Sequence, residues 1–257
     1  MVPDNRAPLQ LRFRGDLSAL LRITDAHGEI VSYPITRNAS IKDIIESLGI
    51  PHTEVGSMQA ADGEVDFSFI PQAGDRLEIL PISADSPPIR PTTLRPDPVQ
   101  SYRFLVDINV SRLASLLRMA GFDSESVQQL GPLDSKRAVA AAAPKQDRIL
   151  LSRDRELLKF RAVMHGRLIR NQNPYLQLQE IVNLYRLQRL AKPFSRCMTC
   201  NHLLVPVEKA TILPRLEPLT KKYYSVFSQC SHCGNIYWQG SHYERMREIL
   251  KTSEVSP

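Results

Sequence analysis

No window of this 257-residue chain approaches the roughly 18 consecutive apolar residues that a membrane span requires. Its first residues, Met1-Val-Pro-Asp-Asn-Arg, also lack the basic-then-apolar order of a secretory signal. The expectation is a cytoplasmic protein with no membrane partner. Cysteine is scarce, and its four residues fall entirely into two pairs, Cys197-Met-Thr-Cys200 and Cys230-Ser-His-Cys233. In a cytosolic chain that arrangement favours tetrahedral thiolate Zn²⁺ over disulfides, and a thioredoxin-type redox site would need one such pair beside a βαβ unit. The 29 residues between the pairs exceed the usual ribbon spacing. His202 and His232 are spare ligands at best, since four thiolates already close a structural site.

What is present is ordinary globular composition, 42% hydrophobic and 23% charged, in a length that suits one or two domains. The net charge of +6 conceals an asymmetry. Residues 1–101 carry 9 Lys and Arg against 14 Asp and Glu, whereas residues 102–257 carry 24 against 13. A basic excess of that size attracts polyanions, of which nucleic acid is the commonest in a cytoplasm, although the same cations serve equally as solubilising surface.

Leu9-Gln-Leu-Arg-Phe-Arg and Glu29-Ile-Val-Ser-Tyr-Pro-Ile alternate as a half-buried antiparallel pair. Ser40 caps a short amphipathic helix with Ile41, Ile44, Ile45 and Leu48 on one face and a stop at Gly49. Val55 to Met58, Val65 to Phe69 and Arg76 to Leu80 supply further strands. This order within residues 1–82 is that of a β-grasp, the ubiquitin-like fold, and Ile41-Lys-Asp-Ile-Ile-Glu with Ala73-Gly-Asp-Arg-Leu-Glu-Ile-Leu resembles small sulfur carriers of that fold. Such carriers end in Gly-Gly. Here the last strand runs into Pro81-Ile-Ser-Ala-Asp, which excludes carrier chemistry and leaves an interaction module or structural appendage. Residues 83–101 hold five prolines and little that could form a core, so they read as an extended, semi-rigid linker.

Beyond it, Phe104-Leu-Val-Asp107 is an apolar run ended by an acid, and Ser111 to Gly121 a helix with Leu113, Leu116, Leu117 and Ala120 at helical spacing. A short strand near residues 122–127, an alanine-rich helix from Leu133-Asp134 to Ala143, Arg148-Ile-Leu-Leu-Ser-Arg-Asp154, a helix from Arg155 to Phe160, a strand from His165 to Arg170 and a long helix from Tyr175 to Leu190 follow. The alternation is that of a parallel sheet with helices on both faces, whose ligands sit at the carboxyl ends of the strands. Adjacent strands would bring Asp107 and Asp154 to one edge, with Asp134 joining from the intervening helix. Converging carboxylates repel, so such a cluster calls for a divalent cation, Mg²⁺ or Mn²⁺, able to activate water at a phosphodiester. Each acid alone also reads as a loop or helix cap.

Phe104-Leu-Val-Asp107, Leu113-Ala-Ser-Leu-Leu-Arg118-Met-Ala-Gly121-Phe-Asp123, Arg148 to Arg155, Pro193-Phe-Ser-Arg-Cys197 and Tyr237-Trp-Gln-Gly-Ser-His242-Tyr-Glu-Arg245-Met246 together resemble the Mut-seven C-terminal RNase family, a PIN-like nuclease domain fused to a zinc ribbon. The likeness covers roughly residues 102–250, and several members also carry a ubiquitin-like N-terminal domain. It implies a PIN-like RNase domain over 102–192, a zinc ribbon with a C-terminal helix over 193–257, and a hydrolase in which Asp107, Asp134 and Asp154 hold Mg²⁺ or Mn²⁺ while Cys197, Cys200, Cys230 and Cys233 hold structural zinc. Arg112, Arg118, Arg153, Arg155, His242 and Arg245 are the candidate RNA contacts. The last two stand at i and i+3 in a helix opened by the capping box Ser241 to Glu244, where they either hold a phosphate or brace the ribbon. Relatives tend to show an acid after the last strand, where this chain has Arg170-Asn171-Gln-Asn173. That departure is what separates the nuclease from a second reading, an RNA- or ribosome-binding adaptor without catalysis; a third reading is a scaffold whose β-grasp docks a protein partner.

Overall fold

In the computed structural model, residues 7–22, 30–131 and 135–253 are described. The chain forms two compact units, each from two sequence segments: Met1–Ser101 with Leu133–Leu168, and Tyr102–Pro132 with Ile169–Pro257.

The first unit begins with a mixed sheet of β1 (Leu9–Phe13), β2 (Ile30–Tyr33), β3 (Val55–Ala60), β4 (Gly63–Glu64) and β5 (Arg76–Pro81) in the order β2-β1-β5-β3-β4. β1 runs antiparallel to β2 and parallel to β5. The alternation in β1 puts Leu9, Leu11 and Phe13 wholly inside, as are Ile41 and Ile45 of helix α1 (Ile41–Ser47). The Ser40 hydroxyl caps that helix by accepting from the Asp43 amide at 3.2 Å. Residues 65–69 are not a strand. The Asp66 carboxylate accepts from the amide and hydroxyl of Ser68 at 2.8 and 2.6 Å, and this local bonding turns the chain despite its alternating pattern.

The central parallel sheet comprises β6 (Arg103–Val106), β7 (Asp123–Ser126), β8 (Ile149–Ser152) and β9 (Gly166–Leu168). β6 is parallel to β7, and β8 to β9. The flanking helices are α2 (Ser111–Met119), α3 (Lys136–Lys145), α4 (Arg155–Leu158) and α5 (Pro174–Leu184). The fold is therefore the expected parallel sheet with flanking helices after an N-terminal β domain. α5 is shorter than its periodicity suggests, because Arg186 adopts a left-handed φ of 52° and a 3₁₀ turn replaces the remaining helix. Among the described residues no helix is long and apolar enough to cross a membrane.

The proline-rich segment is packed rather than a free spacer. Leu94 and Val99 are buried, and the Arg95 guanidinium, 6% exposed, donates to the carbonyls of Val55 (2.8 Å), Thr53 (3.1 Å), His52 (3.2 Å) and Met164 (2.9 Å). The composition shows few core residues but not that one buried cation can gather four carbonyls. Beside it, His52 is wholly buried, its Nε2 donating to the Val163 carbonyl at 2.8 Å and its Nδ1 facing Glu46 Oε1 at 2.7 Å.

Burial holds the His52 imidazole below its ordinary pKa; Lys42 and Arg95 act in the same direction and Glu46 against it. A depressed histidine pKa means that the unfolded chain binds the proton more readily. Its contribution is full above the unfolded pKa of about 6.5 and is lost as pH falls toward the lower folded value. Denaturation midpoints should therefore drop as pH is lowered from neutral through that range, and His52→Gln should flatten the slope. A wild-type slope in the variant would show that His52 is not its source.

The ribbon in the second unit is an antiparallel sheet of β10 (Leu204–Val207), β11 (Phe227–Cys230) and β12 (Ile236–Trp238). The long spacing between the cysteine pairs is filled by α6 (Lys209–Ile212) and α7 (Pro218–Tyr223), whose segment folds over a small core of Ile212, Leu216 and Phe227. The C-terminal helix α8 (Ser241–Thr252) is entered through Gly240, which occupies the cap position, so the expected Ser241 capping box does not form.

Candidate functional site

Asp107 directly follows β6 and is buried. One carboxylate oxygen accepts from the Ile108 amide and the other from Asn109 Nδ2, both at 2.7 Å, so the side chain is fixed in orientation. In the other unit Asp154 follows β8 and caps α4, its Oδ1 accepting from the amides of Glu156 (2.9 Å) and Leu157 (3.3 Å). Its Oδ2 lies 2.5 Å from Lys136 Nζ. Burial opposes ionisation of Asp154, but Lys136 and the two amides outweigh it and hold the pKa below the usual carboxylate value. Asp134 lies outside the described residues; among those described, Ser135 is the residue that caps α3. Lys136 has no place in the sequence reading, although a lysine two positions after Asp134 signals a cation at the helix entrance.

The loop after β9 departs from an acid-bearing pattern in a specific way. Asn173 caps α5 by accepting from the Tyr175 amide at 2.9 Å, and Asn171 Nδ2 donates to Glu180 Oε2 at 3.1 Å. A carboxylate thus reaches this loop from α5 rather than from the loop itself.

The four cysteine sulfurs lie within 4.8 Å of one another, with Cys197 and Cys233 at 3.6 Å and Cys200 and Cys230 at 3.3 Å. A tetrahedron with Zn–S bonds of about 2.3 Å has edges of roughly 3.8 Å, so the donor set fits zinc. Burial works against ionising Cys197, but the Tyr237 hydroxyl at 3.0 Å and the amides of Cys200 and Thr199 bring it down to about 6. Burial and the neighbouring sulfurs push Cys200 up to about 12. Thiols packed this closely cannot all ionise without a cation among them.

The candidate RNA contacts divide sharply. Arg112 is exposed, its Cζ 5.4 Å from the Tyr175 ring centroid and its Nη2 donating to the Tyr175 hydroxyl at 3.0 Å. Arg153, His242 and Arg245 are exposed, and Arg155 is half-buried with Nη1 donating to the Leu20 carbonyl at 2.7 Å. Arg118 is not an RNA contact. It is 2% exposed, and its guanidinium donates to the carbonyls of Ser124 (2.7 Å), Met198 (3.0 Å) and Thr199 (2.9 Å) and to the Gln129 side chain, tying the first cysteine pair to α2. Asn201, at a left-handed φ of 68°, adds a second tie by accepting from the Ser124 amide and donating to Asp123. Gly121 permits this docking, since a Cβ there would stand 2.1 Å from the Lys192 carbonyl oxygen.

A family model described as Mut7-C RNAse domain matches residues 102–250, and a second, described as Mut7-C ubiquitin, matches residues 7–86. Neither the curated proteins nor the solved structures contain a significant match to the chain.

Proposed function

The chain belongs to the Mut7-C RNase family, and from that membership we propose that it is a metal-dependent ribonuclease hydrolysing RNA phosphodiester bonds. The observation that carries the reading is the repeated placement of an aspartate at the carboxyl end of a parallel strand, Asp107 directly after β6 and Asp154 two residues after β8, where open α/β sheets position their chemistry. Asp107, Asp154 and Asp134 would hold Mg²⁺ or Mn²⁺, for which hard carboxylate oxygens are the right donors. When bound, that ion supplies an acidified water and charge stabilisation for the phosphate oxygens.

The chain's own side chains do the positioning. The Ile108 amide and Asn109 fix the Asp107 carboxylate, and the α4 amides fix one oxygen of Asp154 while the Lys136 ammonium compensates the other. Exposed Arg112, Arg153 and Arg245, with His242, supply donors for RNA phosphates, and the zinc centre holds the ribbon together. The test is Mg²⁺- or Mn²⁺-dependent cleavage of a mixed RNA pool by the full chain, lost on omission of both ions.

One observation favours a second reading. With the amides of Asn171 and Asn173 engaged as a Glu180 partner and a helix cap, the fold also suits an RNA- or ribosome-binding adaptor without catalysis. Salt-sensitive RNA binding with no cleavage in either ion would select it.

A further inference from the structure

The ribbon carries a cavity of about 230 Å³ that neither the acids nor the zinc centre explains. Its walls include Phe194, Phe227, Trp238 and Tyr243, with Arg196 and Gln239, and among the described residues no carboxylate lines it. The rings are held in place. Phe194 and Tyr243 pack with centroids 4.4 Å apart, and the Trp238 centroid lies 6.4 Å from those of both Tyr224 and Phe227. Gly240 makes room for Trp238, since a Cβ there would approach the indole nitrogen to 2.9 Å. Phe194 itself sits at a φ of 58°, a conformation costly for a bulky residue, and its amide donates to the Met119 carbonyl at 2.9 Å. Arg196 is equally fixed, donating to the carbonyls of Gly121 (3.2 Å) and Asn201 (2.8 Å).

We propose that this pocket is a subsite for one unpaired base of single-stranded RNA, a reading that takes its ligand class from the nuclease assignment. Rigid aromatic walls and a fixed guanidinium are the surfaces on which splayed-out bases stack. Gln239, exposed at the edge of the pocket, offers both a donor and an acceptor to a base edge. A lining without carboxylates removes repulsion toward the phosphates, and the exposed Arg245 shares α8 with the lining residue Tyr243, while Arg247 of the same helix pairs with Glu244 at 3.6 Å. The same features disfavour a cationic ligand, which would meet Arg196 with no carboxylate in the lining; Asp123, 3.9 Å from the Arg196 guanidinium, is not among the lining residues. A paired base is excluded from such a pocket because its faces are already stacked.

Trp238 is the chain's single tryptophan, so its emission reports on this pocket alone. Titrating the full chain with short oligouridine and oligoadenosine, without added Mg²⁺ or Mn²⁺, should quench that emission saturably, whereas a duplex at equal phosphate concentration should not. Tyr243→Ala should weaken single-strand binding by about five- to a hundredfold with an unchanged salt slope, since no charge is removed, and Tyr243→Phe should restore it. RNA binding without quenching, wild-type affinity in Tyr243→Ala at wild-type zinc content, or quenching by an apolar peptide in place of RNA would each overturn the subsite. If Tyr243→Ala fails to fold, the wild-type titration decides. Cleavage without quenching removes the subsite alone, and quenching without cleavage keeps it while removing the nuclease reading.

Discussion

Asp107→Asn should reduce RNA cleavage to background while leaving the fold at nearly wild-type stability. The substitution keeps the shape of the side chain and its ability to accept from the Ile108 amide, so the turn after β6 remains capped. Asn109, which donates to the other oxygen, can rotate its own amide to present an acceptor to the new NH₂ group. What disappears is one negative charge at the end of the strand, together with its affinity for a divalent ion. Asp107→Ala should also lose cleavage, but at a further cost of about 0.5–2 kcal/mol in stability, because it removes the cap as well. Melting without added metal and turnover with Mg²⁺ or Mn²⁺ therefore separate the two roles of the residue. A stable Asp107→Asn protein with undiminished cleavage would refute the metal-site proposal. A wild type free of activity in both ions would shift the assignment to the RNA-binding adaptor.

The parts of this molecule that are legible in the sequence are those governed by short-range periodicity. The apolar run Phe104 to Val106, the Leu113, Leu116, Leu117 stripe and the Leu178, Ile181, Val182 face are all buried as their spacing requires. The two cysteine pairs converge as thiolate chemistry demands, despite their long separation, because α6 and α7 occupy the insertion without disturbing the ribbon sheet. The errors arise where a polar side chain finds a partner that pattern cannot specify. Asp66 captures Ser68 and turns a stretch that alternates like a strand. Gly240 takes the cap position that the Ser241 to Glu244 pattern claims. Arg95 and Arg118 look like surface cations, yet each is buried and committed to carbonyls up to 81 residues away. An arginine's charge marks it for nucleic acid only when its donors are not already engaged within the fold.

Cys200→Ser should strip the zinc and unfold residues 193–240. The ribbon's own apolar core is small, consisting of Ile212, Leu216 and Phe227 with a few half-buried neighbours. Metal binding to structural sites of this kind contributes about 10–16 kcal/mol of apparent free energy in isolated peptides, as large as the whole stability of many domains. Serine keeps the size of the side chain but offers a hydroxyl that does not ionise near neutral pH, so three thiolates would remain around an open position. Loss of the first knuckle also releases the Met198 and Thr199 carbonyls from Arg118, leaving a buried guanidinium without two of its acceptors. The disturbance should therefore spread to the end of α2. Zinc analysis and hydrogen exchange across the ribbon should show metal loss and loss of protection together. His202→Ala should keep both, because it changes a residue beside the knuckle whose exposed ring meets the Cys200 carbonyl through Nδ1 at 3.0 Å and contributes no thiolate. Full zinc occupancy with native protection in Cys200→Ser would show that the four thiolates do not form one metal centre.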